Sequence, residues 1–339
     1  MRVAENLLSG RNDFLSVLLR VVLFPLQLLY LLATSMKNAL YDSGLVQPGK
    51  AELPVISVGN LTVGGTGKTP LVIALARRGL AAGKKVAVVT RGYGAQATDD
   101  GLGDEAALIA ERVPGVELIV TTNKLAGAIE AAQRGCDVAI IDDGMQHRRL
   151  HRDMDIVCVD ARAPLGNGEV LPAGPLRETA SGLGRADLVV MSHSEMLVED
   201  ELRARIAALG AYKRGVPVLS AVHRPRGVRA VTGGEEQPTD SLAGRSVHLF
   251  CGLASPASFR HTVEALGAHV TGMTTFPDHH AFTAACMAQV RAEAGTSELL
   301  CTEKDAAKVA RIPGHEDVLC LSIDLELDGE LPPLPGFDD

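Results

Sequence analysis

Short apolar runs alternate with stretches of helical periodicity along most of the chain. The apolar runs predict strands at residues 54–58, 85–90, 116–122, 137–143, 187–191, 216–222, 246–251 and 318–323. The periodic stretches predict helices at residues 71–81, 104–112, 124–133 and 255–266. Buried strands that alternate with helices are typical of an α/β protein built on a doubly wound, mostly parallel sheet.

Residues 14–33 form the longest apolar stretch, and they contain one charge, Arg20, together with Pro25 and Gln27. A charge in mid-span costs about 2.5–3.5 kcal/mol on insertion scales, which weakens a transmembrane interpretation. Three alternatives remain: a helix in the membrane interface, a single span, and a hairpin buried in the protein core. Residues 1–50 carry a net charge of +2 against −10 for the remainder, so we favour an interfacial membrane helix.

Composition and charge exclude several classes of protein. A chain of 339 residues is long enough for two domains, each with its own core. Aromatic residues make up only 3% of the chain, which favours parallel strands covered by helices over a β-sandwich. The net charge of −8, with no basic domain, argues against nucleic-acid binding. The cysteines form no C-x-x-C pair and are predicted to be free thiols, mostly buried, in a reducing compartment: Cys136, Cys158, Cys251, Cys286, Cys301 and Cys320.

The segment 58–70, VGNLTVGGTGKTP, lies between a predicted strand and a predicted helix and is typical of a phosphate-binding loop (P-loop). In such a loop, backbone N–H groups converge on an anion, the lysine reaches the terminal phosphates and the following hydroxyl binds Mg²⁺. The first glycine of the usual G-x-x-x-x-G-K-[ST] pattern is replaced by Thr62. An incidental glycine-rich turn is the alternative, but the flanking strand and helix favour a P-loop for ATP or GTP. Its predicted nucleotide contacts are Thr62, Val63, Gly64, Gly65, Thr66, Gly67, Lys68 and Thr69.

The predicted strand at residues 137–143 ends in two carboxylates, Asp142 and Asp143. Carboxylates at a strand end in the same sheet as a P-loop are expected to bind Mg²⁺ or its water shell. Adjacent strand residues point to opposite sides, so we expect only one of the two to reach the ion directly. The alternative is that the pair only opens a turn at Gly144.

Two segments rich in glycine and proline divide the chain. Residues 164–178, PLGNGEVLPAGPLRE, predict a functional loop, and residues 223–240 predict a connection between domains. We therefore expect three parts. These are a membrane-associated helix at residues 1–40, a nucleotide-binding α/β domain with a substrate loop at 41–225, and a smaller α/β domain at 226–339.

Several short motifs occur in one order along nearly the whole chain. They are VGNLTVGGTGKTP (58–70), TRGYG (90–94), GDE (103–105), DDGMQH (142–147), GNG (166–168), LPAGPLRE (171–178), FPDHH (276–280) and TEKDA (302–306). Each is weak alone, but the ordered set resembles the tetraacyldisaccharide 4'-kinase family. Met145 stands where that family usually has a bulky aromatic residue, and Thr90 where serine is frequent.

This resemblance implies ATP-dependent phosphorylation of the 4'-hydroxyl of a tetraacylated glucosamine disaccharide 1-phosphate, a lipid A precursor. It implies a P-loop NTPase-like domain, a second α/β domain that closes the active-site cleft, and an N-terminal helix at the cytoplasmic face of the bacterial inner membrane. A lipid substrate also explains an apolar N-terminus on an otherwise acidic protein. We expect ATP and Mg²⁺ as cofactors and no nucleic acid or obligate protein partner.

A sugar hydroxyl is a poor nucleophile, so phosphoryl transfer needs a group that orients it and takes its proton. The resemblance assigns this role to Asp104 with His279, supported by Asp278. The alternatives are that Asp104 only caps a helix and that His279 only caps a loop.

The resemblance and the charges of the remaining motif residues suggest further roles. Glu105 is expected in the Mg²⁺ shell with Thr69 and Asp143. Gln146 and His147 are expected to reach the γ-phosphate or the acceptor. The guanidinium groups expected to hold the substrate phosphate belong to Arg148, Arg149, Arg152 and Arg177, although the run at 148–152 is equally typical of a solvated turn. Asn167 and Glu178 are expected at the substrate, and Thr302, Glu303, Lys304 and Asp305 around the nucleobase.

Two other functions stay open. Membrane-associated ATPase switches share the GGxGKT turn, but they carry a lysine directly before the glycine pair, where this chain has Val63. A nucleotide-sensing scaffold without turnover would leave the carboxylate and histidine motifs without a use. No N-K-x-D guanine motif follows either, because Asn123 and Lys124 precede leucine and alanine.

Overall fold

A computed structural model describes residues 14–92, 103–253, 256–277 and 280–337. The α-helices are α1 (Phe14–Asp42), α2 (Lys68–Ala81), α3 (Asp104–Arg112), α4 (Lys124–Gln133), α5 (Glu199–Leu209), α6 (Pro256–Ala265), α7 (Ala284–Ala294) and α8 (Glu303–Val309). The strands are β1 (Val55–Asn60), β2 (Val86–Thr90), β3 (Glu117–Val120), β4 (Val138–Asp142), β5 (Met154–Asp160), β6 (Leu188–Ser192), β7 (Val218–Ala230), β8 (Ser246–Cys251), β9 (His269–Thr275), β10 (Glu298–Thr302) and β11 (Leu319–Asp328).

The chain forms two compact units. Unit 1 comprises Met1–Thr90, Gly115–Val222 and Leu327–Asp339, and unit 2 comprises Arg91–Pro114 and His223–Glu326. Each unit is thus assembled from separate segments, whereas the predicted domains follow one another along the chain. Helix α3 belongs to unit 2 because it packs against α8.

Unit 1 is organised around strands in the order β3-β2-β4-β1-β5-β6-β7. The pairs from β3 to β7 are parallel, with Val58 opposite Asp142 and Asn60 opposite Cys158. Strands β1, β2, β4 and β6 are buried along their whole length, as their continuous apolar sequences predict. The predicted doubly wound α/β fold is confirmed. The carboxyl ends of β1 and β4 lie at one edge, which places the P-loop and the Asp142–Asp143 pair side by side.

Unit 2 contains strands in the order β7-β11-β10-β8-β9. Strand β10 pairs in parallel with β8 and β11, and β8 pairs in parallel with β9. Strands β9 and β10 were not among the predicted strands. Strand β9 lies at an edge, and each of its residues except Thr274 is exposed or half-buried, so its sequence lacks a continuous apolar run.

Buried cysteines occur in both units. Cys136 and Cys158 lie in unit 1, and Cys251, Cys301 and Cys320 are buried in unit 2, while Cys286 is half-buried. All six are free thiols. Burial raises the pKa of Cys158 to about 12, so this thiol stays protonated and inert at neutral pH. The prediction of free, mostly buried thiols is confirmed.

Helix α1 runs without interruption through Pro25. Most of its large apolar side chains are exposed, including Val21, Phe24 and Leu29. The alternative of a hairpin buried in the core is therefore wrong. The segment Val17–Asp42 is long and apolar enough to cross a membrane, judged by length and composition alone. Its polar C-terminal half, in contrast, is bonded to the rest of unit 1.

Candidate functional site

The P-loop follows β1 and is hydrogen-bonded to the side chain of Asn60, the last residue of that strand. The buried Asn60 amide donates to the Thr62 carbonyl at 2.7 Å and to the Thr66 hydroxyl at 3.0 Å. Val63 N–H donates to the Pro175 carbonyl at 2.8 Å, and the Ser192 hydroxyl donates to the Thr66 carbonyl at 3.1 Å. These bonds fix both ends of the loop, while Gly64 and Gly65 remain exposed at its tip.

Helix α2 begins at Lys68, three residues before the predicted start at residue 71. Proline is tolerated in a first helical turn, so Pro70 does not delay the helix. The preceding Gly67 has a left-handed φ of 74°, which glycine adopts without strain. Within the described residues no side chain caps this helix, so its first N–H groups and the half-buried Thr69 are available to an anion and its metal.

Three charged side chains converge beside the loop. The Lys68 ammonium lies 3.6 Å from Asp143, and the Arg177 guanidinium donates to both Asp143 oxygens at 2.7 and 2.8 Å. Burial alone would raise the pKa of Asp143, but Lys68 and Arg177 more than offset it and hold that pKa below its usual range. The site therefore combines two cations with an ionised carboxylate at neutral pH.

The two adjacent carboxylates have different surroundings, and which of them reaches a metal ion directly stays a prediction. Asp142 is buried at the end of β4 and accepts a hydrogen bond of 2.9 Å from the Thr90 hydroxyl. Asp143 lies beyond the strand with a left-handed φ of 54°, an uncommon conformation for a residue other than glycine. A Cβ atom at Gly144 would lie 2.5 Å from the Ser57 hydroxyl, so the turn also requires glycine.

A polar network connects the residues after β4 with the substrate loop. The Gln146 amide donates to the Asn60 carbonyl at 2.9 Å and to Glu178 at 3.0 Å. Arg177 lies 3.4 Å from Gln146. The structure thus brings together Gln146, Arg177 and Glu178, three of the residues expected at the substrate.

Helix α1 contributes to this network, which the sequence did not indicate. Asn38 donates to Glu178 at 2.8 Å, and Lys37 donates to the Gln146 carbonyl at 3.2 Å. Arg185 also donates to Glu178, at 2.7 Å. A groove of about 320 Å³ lies here between α1 residues 34–42 and residues 178–185. No local motif marks Lys37, Asn38 or Arg185, since their partners are distant in sequence.

The basic run after Gln146 divides into separate roles. Arg148 pairs with Asp42 at 2.7 Å and lies 5.3 Å above the Tyr41 ring. Arg152 is committed to its own turn, because it donates to Asp155 at 2.9 Å and to the His147 carbonyl at 3.2 Å. Arg149 is exposed, and His147 is half-buried.

Asn167 organises the substrate loop. Its side chain donates to the Ala173 carbonyl at 3.1 Å and accepts from Glu169 N–H at 3.0 Å. A Cβ atom at Gly174 would lie 2.3 Å from the Asn167 oxygen, so these two residues pack as a unit. The observed contacts of Asn167 are therefore those of a loop-shaping residue.

Asp104, the expected proton acceptor, belongs to unit 2. Asp104 is the first residue of α3, and Gly103 occupies the cap position, so the alternative that Asp104 is the N-cap is wrong. Asp104 pairs with Lys308 at 2.8 Å, and Glu105 lies half-buried in the same turn. Asp278 and His279 lie outside the described residues. The adjacent His280 ring stacks on Phe276, with 4.5 Å between ring centroids.

The TEKD segment makes bonds within unit 2. Thr302 caps α8 by accepting from Asp305 N–H at 3.4 Å, and the buried Asp305 accepts from Gly252 N–H at 3.0 Å. Buried Glu303 pairs with Arg112 and accepts from Ile323 N–H at 3.1 Å. The missed signal was the T-x-x-D spacing of a helix cap. A nucleobase contact by Glu303 or the half-buried Lys304 stays a prediction.

Comparison with known proteins gives one consistent result. A family model described as tetraacyldisaccharide-1-P 4'-kinase matches residues 19–333. The tetraacyldisaccharide 4'-kinase of Anaeromyxobacter dehalogenans is 41% identical over 295 residues, covering 82% of this chain and 78% of the relative. The tetraacyldisaccharide 4'-kinase of Geobacter metallireducens is 39% identical over 314 residues, covering 87% of this chain and 90% of the relative. LpxK from Aquifex aeolicus, whose crystal structure contains ATP, is 31% identical in sequence. The two structures align with a TM-score of 0.72 over 91% of this chain and 95% of the other.

Proposed function

Because the chain belongs to the tetraacyldisaccharide-1-phosphate 4'-kinase family, we propose that it phosphorylates the 4'-hydroxyl of a tetraacylated glucosamine disaccharide 1-phosphate with ATP. The observation that carries this proposal is the P-loop, with Lys68, Asp143 and Arg177 converging at its side. Two cations and an uncapped helix N-terminus are suited to the charge of a transferring phosphoryl group.

Transfer requires one bond to form and one to break. The 4'-oxygen bonds to the γ-phosphorus, the bond from that phosphorus to the β–γ bridging oxygen breaks, and ADP leaves with that oxygen. The hydroxyl proton passes to Asp104, oriented by His279 and supported by Asp278. Lys68 offsets the negative charge on the phosphoryl oxygens during the transfer.

The oxygen donors near the P-loop fit a magnesium ion. Within the described residues no cluster of three or more His, Cys, Asp or Glu side chains is arranged as a metal site. Mg²⁺ commonly uses only one or two carboxylates and takes its other ligands from water and phosphates. Thr69 with Asp142 or Asp143 would hold it, while Glu105 is assigned to its water shell. When bound, the ion would neutralise charge on the β- and γ-phosphates.

The groove beside α1 is our proposed site for the polar part of the acceptor. It is lined by hydroxyl, amide and charged groups, and it adjoins the Gln146–Glu178 bond. Burial lowers the pKa of Lys37; Glu178 opposes this shift, while Arg185 and Arg148 add to it. Arg185 lines the groove beside Glu178, and its guanidinium is suited to the phosphate that the acceptor already carries.

We also propose that α1 contacts the cytoplasmic face of the inner membrane, where a lipid acceptor and ATP meet. The support is its exposed apolar surface, with Val21 exposed by 67% and Leu29 by 65%. The double variant Val21→Glu, Leu29→Glu should bind phospholipid vesicles less and raise KM for the lipid more than KM for ATP. Val198→Glu is the matched control, since Val198 is 67% exposed elsewhere in unit 1. Unchanged vesicle binding by the double variant would rule out this contact.

The activity itself is tested with γ-labelled ATP and the tetraacyldisaccharide 1-phosphate in mixed micelles. Thin-layer separation should show labelled lipid, and its formation should require Mg²⁺. Free labelled phosphate without labelled lipid would instead support an ATPase switch, and no label transfer at all would support a nucleotide sensor.

A further inference from the structure

One face of α1 packs against the body of unit 1. Between residues 21 and 42, the half-buried positions recur at helical spacing, and the other positions are exposed; the half-buried ones are 23, 27, 30, 31, 34, 38 and 41. Tyr30 and Leu31 pack against the buried cluster that contains Leu176 of the substrate loop. Helix α1 therefore has a docked face, formed by these half-buried positions, as well as the exposed face proposed to contact the membrane.

Two hydrogen bonds from the docked face end on consecutive residues of the substrate loop. The Tyr30 hydroxyl donates to the Arg177 carbonyl at 2.7 Å, and the Asn38 amide donates to Glu178 at 2.8 Å. Arg177 N–H in turn donates to the Leu61 carbonyl, just after β1, at 2.7 Å. The backbone of Arg177 is thus bonded to α1 through its carbonyl and to the P-loop segment through its N–H.

The side chains of both loop residues bind groups that follow β4. The Arg177 guanidinium donates to both oxygens of Asp143, and Glu178 accepts from the Gln146 amide at 3.0 Å. Glu178 is only 3% exposed, so water cannot readily replace the donor that Asn38 supplies. Loss of one donor to a buried carboxylate costs more than loss of a bond at the surface. The geometry beside the P-loop therefore depends on the docking of α1.

We propose that Tyr30 and Asn38 are positioning residues for phosphoryl transfer. They hold the Arg177 backbone and the Glu178 carboxylate in place beside the P-loop, so α1 contributes to turnover separately from its contact with the membrane. This inference rests on the proposed kinase activity, since transfer to the acceptor is the step that it affects. A misplacement of about 1 Å, even far from the reacting atoms, can lower a rate on the order of 10²-fold.

The test compares Tyr30→Phe, Asn38→Ala and the double variant in the full-length protein, with the labelled-lipid assay. Tyr30→Phe removes only the hydroxyl and should lower kcat by about 3–10-fold. Asn38→Ala takes a donor from a buried carboxylate and should lower kcat by about 10–100-fold. The two residues act on neighbouring positions of one loop, so the double variant should lose less than the product of the single losses.

Two further measurements separate positioning from nucleotide and membrane binding. KM for ATP and binding to phosphatidylethanolamine–phosphatidylglycerol vesicles should both stay within about twofold of wild type, because the substituted side chains lie in neither the P-loop nor the exposed face of α1. Gln27→Ala is the matched control. Gln27 also lies on the docked face and donates to Glu169 of the same loop at 2.5 Å, but that bond is exposed, so kcat should be nearly unchanged.

Several outcomes would overturn the inference. Normal kcat in the double variant would do so directly. A loss of kcat matched by an equal loss of vesicle binding would mean that α1 acts only through the membrane. If Asn38→Ala is unfolded at the assay temperature, Tyr30→Phe decides, because normal kcat in that variant contradicts the inference. Failure of the proposed kinase activity is distinguishable, since the wild-type protein itself would then form no labelled lipid.

Discussion

Helices α2 and α8 both begin at the carboxyl end of a parallel strand, yet their first turns are used in opposite ways. The first turn of α2, Lys-Thr-Pro-Leu, contains no carboxylate. It follows Gly67, which has no side chain that could cap the helix. The first turn of α8 carries Glu303 and Asp305 and is capped by Thr302. A helix N-terminus attracts anions. Helix α8 satisfies that preference with its own side chains, whereas α2 leaves it for a ligand.

The largest effect should come from the α2 side of this comparison. Lys68→Ala removes the ammonium that offsets charge on the transferred phosphoryl group, so kcat should fall by on the order of 10³–10⁵-fold. Thermal stability should change little, since Lys68 lies 3.6 Å from Asp143, which keeps its bonds to Arg177. Lys85→Ala, at an exposed pair with Glu117, is the control. A folded Lys68→Ala enzyme with normal turnover would contradict the P-loop assignment.

On the α8 side, the corresponding change should affect stability rather than catalysis. Arg112→Met leaves Glu303 buried without its guanidinium, which should lower the free energy of unfolding by about 3–5 kcal/mol. KM for ATP should stay within twofold of wild type. Arg245→Met, which breaks the more exposed pair with Glu298, should cost at most about 1 kcal/mol. A raised KM for ATP without loss of stability would instead make Glu303 a nucleotide contact.

The same contrast explains what could be predicted from sequence. The P-loop and the Asp142–Asp143 pair are encoded in short contiguous segments, so apolar strands followed by Gly-Lys-Thr or Asp-Asp were enough to locate them. The TEKD segment is equally contiguous, and its T-x-x-D spacing is a helix-capping signal that the sequence analysis did not use, while the nucleobase contact stays a prediction. Motif order alone does not distinguish these uses.

The residues that sequence analysis missed act through contacts between distant segments. Asn38 and Glu178 are 140 positions apart, and Arg112 and Glu303 are 191 positions apart. Lys308 likewise meets Asp104 only after unit 2 is assembled. Periodicity and local motifs carry no information about such pairs, because the pairing is decided by the packing of α1, α3 and α8. The edge strand β9 was missed for a different reason, since only one of its seven residues is buried and it has no continuous apolar run.

Asp143 beside α2 and Asp305 in α8 should contribute to the free energy of unfolding with opposite dependences on pH. Burial raises the pKa of Asp143, but Lys68 and Arg177 outweigh burial, so the pKa in the folded protein is lower than usual. The contribution of Asp143 to the free energy of unfolding is therefore present above the unfolded pKa of about 3.9 and is lost as pH falls through the folded pKa. Because the Asp143 side chain is 34% exposed, Asp143→Asn should cost at most about 1 kcal/mol at pH 7. That cost should disappear in acid.

The contribution of Asp305 to stability should depend on pH in the opposite direction. Burial raises its pKa, so its favourable contribution is present at low pH and is lost as pH rises through the folded value. Asp305→Asn keeps one oxygen for Gly252 N–H, and it should be better tolerated at pH 7 than at pH 4 relative to wild type. Thermal unfolding of both variants at the two pH values measures this. Parallel pH trends for Asp143→Asn and Asp305→Asn would contradict the assignment of different environments.

The smallest expected effect concerns the cap itself. Thr302→Ala removes the oxygen that accepts from Asp305 N–H and should lower the free energy of unfolding by about 1 kcal/mol, while Thr302→Ser should restore most of it. Because α8 satisfies its own N-terminus, kcat and KM for ATP should be unchanged in both variants when they are measured well below the melting temperature. Urea titration measures the effect on stability, and kinetics on the same variants measure the effect on kcat and KM for ATP. If Thr302→Ala raises KM for ATP and serine rescues binding rather than stability, then α8, like α2, presents its first turn to the nucleotide, and the contrast between the two helices does not hold.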